Sequence, residues 1–131
     1  MTDTAEMARL ADRFFRAIEA GDVEAVGACY APHAVIWHND DNVEQDRATN
    51  LKTLSAFAGF TRDRTYADAR VTLFEGGFAQ QHRLVAHAKN GARLESHVAI
   101  VCRVEDGQIV RLDEYMDPAP IQAWIKAGMA S

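Results

Sequence analysis

The sequence predicts a single α+β domain, and three observations predict it. Apolar residues recur at helical spacing through the first part of the chain and at strand spacing through the second part. Helices and strands that occupy separate stretches of sequence make an α+β arrangement rather than alternating βαβ units. At 131 residues the chain is long enough for one real core and too short for two, so residues 1–131 are read as one domain.

Each element has its own signal. Met7, Leu10, Ala11, Phe14, Ala17 and Ile18 form one face of a first helix. Asp3 and Glu6 supply its capping box, and Gly21 ends it. Asp22 caps a short second helix with Val23, Val26 and Tyr30 on one side, and Pro32 bars its continuation. The β-branched and aromatic run Ala34 to His38 predicts a short strand. A third helix is expected to start at Asp41 or Asn42, bury Leu51, Leu54 and Ala58, and close at Gly59. Four strands then follow: Tyr66 to Glu75, Phe78 to Ala88, Leu94 to Val104, and Gln108 to Asp117. Gly76-Gly77, Asn90-Gly91 and Glu105-Asp106-Gly107 are the turns between them. Pro118 and Pro120 open a last helix carrying Ile121, Trp124 and Ile125.

Composition removes several functions. A formal net charge of -5, with basic residues scattered, disfavours nucleic acid, because phosphate binding needs a surplus of Lys and Arg. No apolar run reaches the ~20 residues of a membrane span. No signal peptide is visible, so a cytoplasmic protein is expected. Cys29 and Cys102 lack metal-ligand spacing and read as small buried hydrophobes. The five histidines show no ligand pattern, so no metal and no cofactor is expected. In Val98 to Cys102 both strand faces are apolar. One face can meet the helices, and the other needs cover, which predicts a homodimer through the outer, convex sheet face.

Two motifs carry a family resemblance. Ala20-Gly21-Asp22, followed by Tyr30-Ala31-Pro32-His33-Ala34, resembles the opening of NTF2-like (SnoaL-like) proteins. Val104 to Val110 with Glu114-Tyr115-Met116-Asp117 resembles their last hairpin. The resemblance implies a cone-shaped, cystatin-like fold: three N-terminal helices on a curved, mostly antiparallel sheet that encloses a pocket for a small hydrophobic ligand. The family includes ketosteroid isomerases, epoxide hydrolases, polyketide cyclases and silent binding modules, so fold alone does not choose among them. Carried over by position, the isomerase base falls on His38, its oxyanion-hole Tyr on Phe14 and its protonated Asp on Ile100. The last two donate no hydrogen bond, which argues against the steroid-isomerase mechanism; that isomerase is itself the standard example of pKa tuning. The epoxide hydrolase positions fall on Ile36, His38 and Glu114, with its Arg-Asp pair near Gln81 and Arg83.

Strand alternation puts Ile36 and His38 on one face, and Leu112, Glu114 and Met116 together on another strand. A carboxylate between two buried apolar residues is costly unless paired. His38 is therefore the expected base and Glu114 the partner that orients it. Phe14, Ile36, Val98, Ile100 and Met116 are the expected apolar wall, and Gln81 and Arg83 the expected contacts to a ligand carbonyl or carboxylate. His82 and His97, of opposite parity, are expected on the dimer face or surface. The resulting expectation is a cofactor-free acid–base enzyme of isomerase, cyclase or hydrolase type; the alternative is a non-catalytic ligand-binding or accessory module.

Overall fold

The structure, a computed structural model, describes residues 2–130; Met1 and Ser131, the outer bounds of the expected domain, lie outside them. These residues form four helices and a six-stranded sheet. The elements are α1 (Thr4–Ala20), α2 (Val23–Cys29), β1 (Tyr30–His38), β2 (Val43–Asp46), α3 (Arg47–Phe60), β3 (Thr61–Phe74), β4 (Gly77–Ala88), β5 (Arg93–Glu105), β6 (Gln108–Met116) and α4 (Pro118–Gly128). The sheet order is β2-β1-β6-β5-β4-β3. Every pairing is antiparallel except β1 with β6, so the sheet is mixed. Three helices precede the long strands and a fourth closes the described chain, so the helical layer is not N-terminal alone.

Local chemistry sets the helix ends. Asp3 accepts the Glu6 amide at 2.8 Å, and Gly21, at φ 71°, takes the left-handed turn that ends α1. The apolar stripe of α1 is buried from Met7 to Ile18. Arg64 on β3 donates to the carbonyls of Ile18, Glu19 and Ala58, so one guanidinium closes the ends of α1 and α3 together.

Three boundaries differ from expectation. Tyr30 is the first residue of β1, not a face of the second helix, because the chain is already extended before Pro32. The third helix starts at Arg47, capped by Asp46. The residues expected to start it make a turn instead. Asn42 has φ 57°, donates its amide to the His38 carbonyl and accepts the Trp37 indole N–H. That turn returns the chain as β2, which lies antiparallel on β1. Strand β3 also begins earlier than read, at Thr61.

The sheet has one face against the helices and one open face. On β5 the even positions Leu94, Ser96, Val98, Ile100, Cys102 and Val104 are buried, while Val101 is exposed. β4 alternates in the same way, with Phe78, Gln80, His82, Leu84, Ala86 and Ala88 buried. Bulges between Ala67 and Arg70 and between Arg103 and Val104 interrupt the ladder and bend the strands. Among the described residues no helix is long and apolar enough to cross a membrane.

Candidate functional site

The register places one row of side chains across the helix-covered face. His38 of β1 stands beside Glu114 of β6, Glu114 beside Ile100 of β5, and Ile100 beside Gln80 of β4. His38 Nε2 lies 3.5 Å from Glu114 Oε1, with about a fifth of each side chain accessible, 19% and 21%. Burial acts to lower the His38 pKa. The Glu114 carboxylate, helped by Asp40 and Asp41, outweighs burial and raises the imidazole above its ordinary value.

Asn39 fixes this pair. Its side-chain amide donates to the Met116 carbonyl at 3.0 Å and its carbonyl oxygen accepts the Met116 amide at 2.9 Å. Its backbone amide donates to the Glu114 carbonyl at 3.1 Å. The end of β1 is thereby locked to β6 where the imidazole and carboxylate meet. Asn39 carried no motif signal, because its partners are 77 residues away in sequence.

The expected apolar wall is mostly interior packing. Phe14, Ile36 and Ile100 are no more than 1% accessible, and Phe14 packs its ring against Phe15 and Tyr30. They are enclosed between the sheet and the helices. Val98 is also buried, while Met116 is half-buried beside the pair. Other half-buried apolar residues packed on this core are Leu51, Leu54 and Phe57 of α3 and Ile121 of α4.

Gln81 and Arg83 are a correction. Both project from the open face of β4, opposite the core. Arg83 is held there by Asp68 at 2.9 Å and Glu95 at 2.8 Å. The inward residues of that stretch are Gln80 and His82. The sequence held the signal: Phe78, Leu84, Ala86 and Ala88 share their parity, and a core strand follows its apolar positions. A step of one residue along a strand turns the side chain to the other face, which is why Gln81 and Arg83 point away from the core. His97, by contrast, is exposed on the open side.

His82, expected on the dimer face or surface, is instead buried on the helix-covered face. Its ring stacks on Tyr66 at 3.9 Å and meets the edge of Phe15 at 6.2 Å. Gln80 Nε2 donates to His82 Nδ1 at 2.9 Å, which leaves the ring proton of the neutral imidazole on Nε2. Burial lowers the His82 pKa to about 4, against a weaker raising effect of Glu114. The ring is therefore neutral near pH 7. Nearby, the Tyr30 hydroxyl donates to Asn50 Oδ1 at 2.8 Å, and Asn50 in turn donates to Gln45. Among the described residues no group of three His, Cys, Asp or Glu is placed to hold a metal ion.

The chemistry available is proton transfer. With Nε2–H turned to Glu114, the neutral His38 ring presents Nδ1 as its lone pair, and the carboxylate stabilises the imidazolium that forms on proton uptake.

Comparison with known proteins agrees with this architecture. A family model of the SnoaL-like domain matches residues 11–112. IdmH, a candidate polyketide cyclase from Streptomyces antibioticus, superposes with a TM-score of 0.76 at 19% identity, covering 91% of this chain and 97% of its own. An epoxide hydrolase of M. tuberculosis gives 0.76 at 18% identity, covering 96% and 93%. A candidate isomerase from Bacillus subtilis gives 0.82 at 12% identity, covering 96% of each chain. At these identities the likeness is one of fold. No curated protein sequence matches the chain.

Proposed function

The chain belongs to the SnoaL-like domain family of NTF2-like small-molecule pocket proteins, and from that premise we propose that it is a general acid–base enzyme. Its substrate is a small, mostly apolar carbonyl, epoxide or polyketide-like molecule. His38 is the base and Glu114 its orienting partner. The observation that carries the reading is the 3.5 Å approach of the two groups on the helix-covered face, where each is four-fifths buried. A surface ion pair would contribute little and would need no such placement. Raised basicity suits the imidazole to abstracting a proton beside a carbonyl or from an attacking water. No nucleophile from the protein is required: in an isomerisation the imidazolium returns the proton to another atom of the substrate, and in epoxide opening water forms the new C–O bond, the ring C–O bond breaks, and the proton taken from water passes by way of the imidazolium to the released alkoxide.

The test is hydrogen–deuterium exchange beside the carbonyl of 1-tetralone in D2O, followed by NMR, together with the opening of a panel of small epoxides. The wild-type protein is expected to accelerate at least one of these reactions. His38→Ala and Glu114→Gln are expected to lose about a hundredfold or more, the usual size of a general-base contribution. Unchanged rates in both variants would leave only a binding role. We also propose that the open sheet face, where Val101 and Tyr115 are exposed, pairs with a second copy. Sedimentation equilibrium of the wild type against Val101→Lys tests that, and a monomeric wild type would reject it.

A further inference from the structure

The row of side chains that holds the His38–Glu114 pair continues past His38. His38 is registered against Val43 of β2, the strand at one edge of the sheet. Directly opposed residues on antiparallel strands point to the same face, with Cβ atoms about 4.5–5.5 Å apart. Gln45 has the same facing: it is opposed to the buried Ile36, and its side chain meets Asn50 and Thr53 of α3. Val43 is therefore the apolar neighbour of the imidazole on the helix side of the sheet, as Glu114 is its acidic neighbour.

Cover thins along this row toward β2. Gln80 and Ile100 are 3% and 1% accessible, and Val43 at the edge is 50% accessible. Between them, Glu114 and His38 each leave about a fifth of the side chain accessible. A single exposed valine has no meaning of its own. One set beside the imidazole, at the accessible end of its row, lies where a molecule must pass to reach that ring. Asp40 and Asp41, in the turn between β1 and β2, add their negative charge to that of Glu114 at this end. The local field repels anions and leaves uncharged molecules unaffected. The opposite end of the row is shut. Val71 of β3 is 46% accessible there, beside Gln80, and lines a hollow of about 440 Å³ together with Asp12, Arg16 and Glu19. Gln80 and Ile100, both closed, stand between that hollow and Glu114.

We propose that Val43 is the lip of the entrance to His38. An uncharged, mostly apolar substrate enters over the β2 edge, and the bulk of residue 43 sets the width of molecule admitted. This rests on the reading of His38 as the reacting group, but its test needs no turnover.

The experiment uses two uncharged alkylating ketones, the small bromoacetone and the broad bromomethyl naphthyl ketone, with modification of His38 followed by peptide mass spectrometry. An imidazole nitrogen forms the new bond to carbon and bromide leaves in both cases. The ratio of the two rates at His38 therefore cancels the basicity of the ring and reads the width of its approach. Both reagents are expected to modify His38 in the wild type. Val43→Trp is expected to lower the naphthyl-to-acetone ratio about tenfold, the effect of overfilling a close-packed passage. Val43→Ala removes bulk, cannot overpack the strand, and is expected to raise the ratio about threefold. Val71→Trp, at the other edge of the same face, is expected to leave it within about twofold. Bromoacetate, an anion, is expected to lag bromoacetone by more at His38 than at the exposed His33. No modification of His38 in the wild type, a ratio unchanged in the Val43 variants, or a fall in Val71→Trp as large as in Val43→Trp would overturn the proposal. An equal lag of bromoacetate at both histidines would overturn the preference for uncharged molecules. The exchange and epoxide rates read whether His38 and Glu114 react, the bromoketone ratio reads only how His38 is reached, and either can fail alone.

Discussion

Replacing Asn39 with Ala removes the clamp between β1 and β6 while leaving both members of the His38–Glu114 pair in the chain. Two side-chain hydrogen bonds disappear, at 2.9 and 3.0 Å, both to the backbone of Met116. A hydrogen bond contributes about 1 kcal/mol net, so the pair is worth about 2 kcal/mol. The Met116 amide and carbonyl are only partly buried and recover some hydration, which keeps the cost from rising much further. With an m-value of about 2 kcal/mol/M, the urea midpoint should fall by about 1 M. Asn39→Asp should cost at least as much, because its carboxylate still accepts the Met116 amide but sets an acceptor oxygen against the Met116 carbonyl in place of the donor. The second measurement is an NMR titration of His38. Loosening the strand ends weakens the Glu114 contact, so burial counts for more and the His38 pKa should fall in Asn39→Ala. A midpoint within a quarter of a molar of wild type, with an unmoved His38 titration, would refute the view that Asn39 holds the pair in place.

Three further outcomes follow from the same coordinates. Glu114→Gln should lower the His38 pKa relative to wild type, because burial opposes the charge and the main counter-charge is gone; in the wild type the raised pKa adds stability below the unfolded-state value that is lost as pH rises through the folded one, so the variant should lose most at low pH, as urea melts across pH will show. His82 has the opposite sign. Its pKa falls from 6.5 to about 4 on folding, so stability should decline as pH drops from about 6.5 to 4, by up to about 3 kcal/mol from this group, and His82→Phe should flatten that part of the profile. Gly77→Ala should destabilise by at least about 1–3 kcal/mol in denaturant melts, since a Cβ there would meet the Cys102 backbone carbonyl and the Phe74 ring; a neutral result would mean that the β4–β5 ladder yields more easily than its packing implies.

Much of this protein could be read along the chain because its signals are local. The helix-capping Asp3 and Asp22, the left-handed Gly21, and the alternation through β4, β5 and β6 depend on residues a few positions apart, and they fixed the element types. Alternation also put His38 on the face of Ile36, and Glu114 on the face of Leu112 and Met116. The β2 strand and the start of α3 escaped, because Asn42 and Asp41 have the chemistry of a helix cap as well as that of a turn, and the strand partner decides between them. The orientation of Gln80 and His82 is present in the sequence as shared parity with Phe78, Leu84, Ala86 and Ala88.

What only tertiary structure decided is which distant groups meet. The parallel pairing of β1 with β6 brings positions 38 and 114 into one row, and no short-range pattern encodes that register. The same holds for Asn39 on Met116, Arg64 on the ends of two helices, and His82 beside Ser96. Local backbone preference acts over a turn or two of chain, whereas a site is assembled by strand order and bulges that bring together segments far apart in sequence.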